Sequence, residues 1–102
     1  MGLSRERGRL IQRLRRRRTR EREGLFLVEG IRSIDEALAA GVPARFAVVS
    51  PRLREIAGGD LLRERLVQAG VETVEVTDAE FAALSDTGAP QGVLLACHEP
   101  RT

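Results

Sequence analysis

The sequence has no lysine, no tyrosine and no tryptophan, and only one cysteine and one histidine in 102 residues. Each shortage removes a class of protein. Cys97 alone cannot close an intramolecular disulfide, and with His98 as the only histidine there is no nitrogen and sulfur ligand set for zinc, so no metal site is expected. A reducing compartment follows most simply, and the cytoplasm is the expected location. The three aromatic residues, Phe26, Phe46 and Phe81, are too few for the base-stacking platforms of single-strand-binding domains. No apolar run approaches the roughly 18 residues needed to span a bilayer, and the basic N-terminus is not followed by the apolar stretch of a secretory signal, so no membrane partner is expected. The nucleotide fingerprints G-x-G-x-x-G and G-x-x-x-x-G-K-[ST] are both missing.

What is abundant is arginine. All 17 basic residues are arginines, balanced by 15 acids to a net charge of +2. That total conceals a division. Residues 1–24 hold ten arginines against Glu6, Glu21 and Glu23, a net of +7, whereas residues 25–102 hold seven arginines and twelve acids, a net of −5. A chain of this length forms one ordinary domain, with enough apolar content for a single core.

The basic segment carries Leu3, Leu10, Ile11 and Leu14 on one narrow helical stripe, with Ser4 placed to cap its start. Beyond Leu14 no apolar residue anchors a helix before Gly24, so the second half is expected to fray when alone. On a continuous helix Arg5, Arg9, Arg13, Arg16 and Arg20 form a stripe at i, i+3 and i+4 spacing that Arg17 and Arg18 widen. Guanidinium forks bind phosphate oxygens bidentately, and a +7 segment on an acidic body suits nucleic acid. Two blander readings stay open: a solvated tail, and a membrane-surface helix, the latter weakened by the narrow apolar stripe.

From residue 25 the pattern alternates. Short unbroken apolar runs at 25–28, 46–49 and 93–97 read as buried strands, and 71–76, interrupted by Glu72 and Glu75, reads as an edge strand. Ile31, Ile34, Leu38 and Val42 give one helix a buried stripe. Ser50-Pro51 opens a short turn of helix, Asp60 is placed to cap a helix with Leu62, Leu66 and Ala69 inward and Leu61 and Val67 beside them, and Thr77 to Glu80 has capping-box spacing before Phe81 and Leu84. The alternation predicts an α/β three-layer sandwich with a largely parallel sheet. Glu29, Asp35, Glu36, Asp60, Glu64 and Asp86 could supply acid–base chemistry only if the fold paired them, and Cys97 beside His98 reads as a small buried side chain next to an exposed one, so no catalytic residue is expected.

Two stretches carry a resemblance: Phe26-Leu27-Val28-Glu29-Gly30-Ile31-Arg32 with Glu36-Ala37-Leu38, and Leu84-Ser85-Asp86-Thr87 with Pro90-Gln91-Gly92-Val93-Leu94. Together they resemble the N-terminal substrate-binding domain of SpoU-type (TrmH-type) RNA ribose 2′-O-methyltransferases. The resemblance implies a ribosomal-protein-like fold that binds kinked RNA, with a four-stranded mixed sheet in order 1-4-2-3 whose last strand is antiparallel, in place of a mostly parallel sheet. It also implies that chemistry belongs to a C-terminal knotted domain that binds S-adenosylmethionine and forms a homodimer. These 102 residues, divided as an arginine-rich lead-in at 1–24 and an RNA substrate-binding domain at 25–102, would then hold neither that domain nor its cofactor. The expected partner is RNA, ribosomal more than transfer. The expected contacts are Arg9, Arg13, Arg15, Arg16, Arg17, Arg18, Arg20, Arg32 and Gln91, with Glu29, Gly30, Ser85, Asp86, Thr87, Pro90 and Gly92 as motif positions. In that motif Gly30 and Gly92 serve tight strand ends, Glu29 satisfies loop amides, and Arg32 and Gln91 have side chains able to reach RNA. The alternatives are a stand-alone RNA-binding protein of the same fold and a protein-interaction domain whose basic segment is only a tail.

Overall fold

A computed structural model describes residues 2–100. Its elements are α1 (Arg5–Arg13), α2 (Arg17–Glu23), β1 (Leu25–Glu29), α3 (Ile31–Ala39), β2 (Ala44–Val49), a 3-10 turn (Pro51–Glu55), α4 (Gly59–Gln68), β3 (Thr73–Glu75), α5 (Asp78–Leu84) and β4 (Val93–His98). The four strands form one sheet in the order β1-β4-β2-β3. β4 runs antiparallel to both β1 and β2, and only β2 and β3 are parallel. The mostly parallel sheet inferred from alternation is therefore wrong, and the mixed sheet implied by the family resemblance is right. Alternation could not show this, because a helix can return the chain to either end of a sheet when the next strand is inserted between two others.

Each face of the sheet is buried by a different pair of helices. Ile34 of α3 and Leu62 and Leu66 of α4 pack with Ala47, Val49, Val93, Leu95 and Cys97 on one side. Ile11 of α1 and Phe81 and Leu84 of α5 pack with Phe46, Val48, Leu94 and Ala96 on the other. The period-2 alternation of β2 and β4 feeds both cores, which is why these central strands read as continuous apolar runs. β1 and the short β3 occupy the edges, and the edge place of β3 agrees with the glutamates at 72 and 75.

Several local expectations need correction. The basic segment is not one helix: after Leu14 the Arg15 and Arg16 amides bond back to Gln12 and Arg13 carbonyls, and Arg16 is extended (φ −95°, ψ 132°) before α2 begins. The stripe from Arg5 to Arg20 is thus interrupted. Packed in the domain the second half is not alone: Thr19 is buried and the Arg20 guanidinium donates to the Leu14 and Arg15 carbonyls at 3.0 and 2.9 Å, which the end of α1 would otherwise leave free. Asp60 does not cap α4. That helix starts two residues earlier, at Gly59 with Gly58 as its N-cap, and Gly59 lies so close to the Leu53 carbonyl that a Cβ would come within 1.9 Å of its oxygen. Ser50 stands before the 3-10 turn but makes no capping bond, and the Asp78 carboxylate of α5 instead accepts from Arg52 N at 2.9 Å. On α4 only Leu62 and Leu66 of the expected inner face are buried, while Leu61 and Val67 are 52% and 65% exposed and Ala69 is exposed as the C-cap.

Candidate functional site

The two motif stretches, far apart in sequence, meet at one end of the sheet. β1 and β4 are hydrogen-bonded neighbours, so the turn after β1 and the loop before β4 are brought side by side. Gly30 turns the chain from β1 into α3 at φ +98°, a region open to glycine and strained for other residues, and its amide donates to the Val93 carbonyl at 3.2 Å. A glycine N-cap has no side chain to receive the first helical amides. Gln91 supplies the acceptor: its Oε1 takes the Ile31 amide at 2.8 Å. Gly92 follows at φ +82°, where a Cβ would meet Ser50 Oγ at 2.7 Å and Leu53 N at 2.9 Å.

Glu29 holds the other end of the loop. Its carboxylate accepts from Ser85 Oγ and, at 3.3 Å, from the Asp86 amide. Ser85 Oγ in turn accepts the Thr87 amide at 3.2 Å, and Thr87 Oγ1 the Ala89 amide at 3.3 Å, so each successive turn of the loop is tied to a side chain. Arg15, at the break between α1 and α2, closes the arrangement by donating Nη2 to the Leu84 carbonyl at 2.7 Å while lying 3.7 Å from Glu29 Oε1. The expected role of Glu29 in satisfying loop amides matches this geometry.

The structure separates the candidate contact residues into groups. Arg15 and Arg20 each donate one guanidinium nitrogen to main-chain carbonyls, and the Gln91 amide oxygen caps α3, so these three half-buried side chains are engaged within the fold. Arg17 pairs with Glu21 at 2.9 Å, and Arg32, in the first turn of α3 with its side chain 94% exposed, lies 3.6 Å from Glu36. Arg9, Arg13 and Arg16 line a single hollow with Gln12. Arg18 is exposed. Arg7, outside the expected set, forms a bidentate pair with Glu72, both distances 2.7 Å, and lies 4.6 Å above the Phe46 ring. The inward roles of Gln91 and Arg15 were missed in the sequence. A signal existed for Gln91, since a helix opening on glycine must find an acceptor elsewhere. None existed for Arg15, whose place depends on a helix break with no glycine or proline to mark it.

The other candidates for chemistry stay apart. Among the described residues no group of His, Cys, Asp and Glu could hold a metal ion, and no helix is long and apolar enough to cross a membrane. Cys97 is fully buried and burial pushes its thiol up to about 11, away from the thiolate a nucleophile needs.

A family model for the MRM3-like substrate binding domain matches residues 6–95, which includes both motif stretches and nearly all of the basic segment. The chain belongs to the MRM3-like substrate-binding domain family. No curated protein gives a significant match. Among solved structures, an RNA 2′-O ribose methyltransferase is 28% identical with TM-score 0.73 over 97% of this chain and 37% of its own. The SpoU methyltransferase AviRb from Streptomyces viridochromogenes, in complex with the cofactor AdoMet, is 27% identical with TM-score 0.71 over 92% of this chain and 33% of its own. An AdoMet-bound rRNA methyltransferase from Sinorhizobium meliloti shares the fold at 18% identity and TM-score 0.74, over 100% of this chain and 36% of its own. The chain therefore spans about a third of the length of these enzymes.

Proposed function

We propose that this domain recognises folded RNA, ribosomal more than transfer RNA, and presents it to the S-adenosylmethionine-dependent catalytic domain of a cytoplasmic, homodimeric ribose 2′-O-methyltransferase. The observation that carries the proposal is the substrate-binding family match over residues 6–95, with its two motif stretches locked into one rigid platform by Glu29 and Gln91. The division of labour is physical. A domain with no tyrosine or tryptophan selects RNA by shape, from a platform whose loop does not have to be ordered on binding, and holds it by phosphate contacts from the arginine-rich lead-in at residues 1–24. Arg32 at the rim of the platform is the side chain best placed to reach RNA there, since it stands almost wholly in solvent.

Catalysis and the cofactor are assigned to the rest of the parent protein. The hollow of about 180 Å³ at the ends of β2 and β3 has the Arg63–Glu75 ion pair in its lining and does not fit S-adenosylmethionine. Electrophoretic titration of the chain against structured ribosomal and transfer RNA fragments tests the reading. Saturable, salt-sensitive binding to a ribosomal fragment at concentrations where an unrelated acidic polymer does not compete is the expected result. Equal affinity for the acidic polymer would remove RNA recognition from this domain.

A further inference from the structure

The ten arginines of the lead-in differ in what they are free to do. Arg7 is taken by Glu72 and the Phe46 ring, Arg15 and Arg20 by main-chain carbonyls, and Arg17 and Arg22 by Glu21 and Glu23. Among the described residues, Arg5, Arg9, Arg13, Arg16 and Arg18 make no ion pair or side-chain hydrogen bond. Three of these five gather: Arg9, Arg13 and Arg16, with Gln12, line one open hollow of about 240 Å³. Arg9 and Arg13, at i and i+4, occupy the side of α1 turned away from Ile11, which is fully buried in the core, and the extended Arg16 beyond the end of α1 brings a third guanidinium to the same hollow.

This gathering is not explained by the fold. Arginines near a helix C-terminus ordinarily bond its last carbonyls, but here the Leu14 and Arg15 carbonyls are already filled by Arg20. Two of the segment's three acids, Glu21 and Glu23, are engaged elsewhere, and no carboxylate lines the hollow. Three guanidinium groups around one space repel one another, and a group carrying negative charge and several acceptor oxygens relieves that repulsion while matching their planar donor forks.

Resting on the RNA-binding reading above, we propose that Arg9, Arg13 and Arg16 form the phosphate-binding site of the lead-in, taking consecutive backbone phosphates of the RNA with Gln12 as an additional donor. Arg15 and Arg20 are positioning residues that set the angle between α1 and α2, and Arg15 joins that corner to the Leu84 carbonyl at the start of the motif loop. The lead-in and the platform thus meet the RNA as one surface.

The test compares the salt dependence of binding to one structured ribosomal RNA fragment for the unaltered chain, for the triple variant Arg9→Gln, Arg13→Gln, Arg16→Gln, and for a control triple, Arg45→Gln, Arg52→Gln, Arg54→Gln, that removes the same charge from the body of the domain. All the substituted side chains are exposed, and unchanged circular dichroism would show that both variants fold. The log–log salt slope of the first triple is expected to flatten by about 2, at roughly 0.7 per single-strand phosphate contact, while the control slope stays near that of the unaltered chain. Equal flattening in both triples overturns the site, because net charge alone would then account for it. Competition by inorganic polyphosphate as effective as competition by RNA overturns the assignment to an RNA backbone. If the unaltered chain binds no RNA, the functional reading itself fails, which is distinguishable because no slope is then measured for any protein.

Discussion

Glu29 shows how much one side chain can hold at the residue scale. Its half-buried carboxylate takes the Ser85 hydroxyl and the Asp86 amide and has Arg15 beside it, so Glu29→Ala leaves donors in a partly buried setting without partners. A cost of about 1 to 3 kcal/mol is expected, with faster amide exchange at Asp86 and Thr87 as the local signature; unchanged exchange there would disconnect Glu29 from the loop. The exposed acids of α5 give a different expectation. The Glu80 carboxyl is held below its ordinary value of 4.5 by the amide and hydroxyl of Thr77. The Asp78 carboxyl is held below its ordinary 3.8 by the neighbouring Ser50 hydroxyl and then by the Arg52 amide. The hydroxyl lies beside that carboxylate without the geometry of a formed hydrogen bond, since Ser50 Oγ has no bonded partner, so the 2.9 Å bond from Arg52 is the firmer contact. Carboxyls lowered on folding add stability that is complete above their ordinary values and is lost as pH falls through the lowered ones. In thermal melts from pH 7 downward, Glu80→Gln should be less stable than the unaltered chain at neutral pH and should approach it below the carboxylate range. A constant gap across the titration would remove the capping box as its source.

Between elements, the decisive feature is the corner from α1 to α2. Arg15→Ala removes the bond to the Leu84 carbonyl and is expected to cost about 0.5 to 1.5 kcal/mol and to loosen the motif loop, so that amide exchange at residues 85–89 rises while that of β2 does not. Equal change in both places would make Arg15 a general stabiliser with no special link to the loop. This corner was also where sequence reading failed. The strands, the Ser4 cap, the capping box at Thr77 and the edge position of β3 were legible because apolar runs and capping spacings are local signals. The direction of β4 was not legible from local pattern and came only with the family motifs. The break after Leu14 is fixed by long-range packing of Thr19 and by the Arg20 bonds, neither of which leaves a trace in a run of arginines. At the candidate site, the bonds that Gln91 and Arg15 make within the fold were not legible, because a polar side chain gives no sign in sequence of which partner it has.

For the whole molecule, the basic lead-in is part of the core. Ile11 and Leu14 are buried to 1% exposure or less, and burying such side chains stabilises by roughly 1.5 to 3 kcal/mol each. Deleting residues 1–23 should therefore cost about 3 to 6 kcal/mol, a large share of the roughly 5 to 15 kcal/mol that holds a domain of this kind. Urea unfolding measures it, and an unchanged midpoint would mean that the sheet face under α1 closes without it. Cys97 gives an independent gauge of the same integrity: fully buried, it should react with a thiol reagent only as fast as the chain unfolds. The short outer strand β3 has a further consequence. Glu72, just before it, is bound by Arg7 of α1 from one face of the sheet, and Glu75 by Arg63 of α4 from the other. Exposed pairs of this kind add little to folding energy. They do fasten a helix from each layer over the one margin where β3 presents unpaired backbone, so a second chain seeking to extend the sheet must first pull two charges from their partners. The two pairs guard the β3 edge against strand addition, so Glu72→Val with Glu75→Val should convert a concentrated solution from monodisperse to aggregating without altering the fold at low concentration, as light scattering would record.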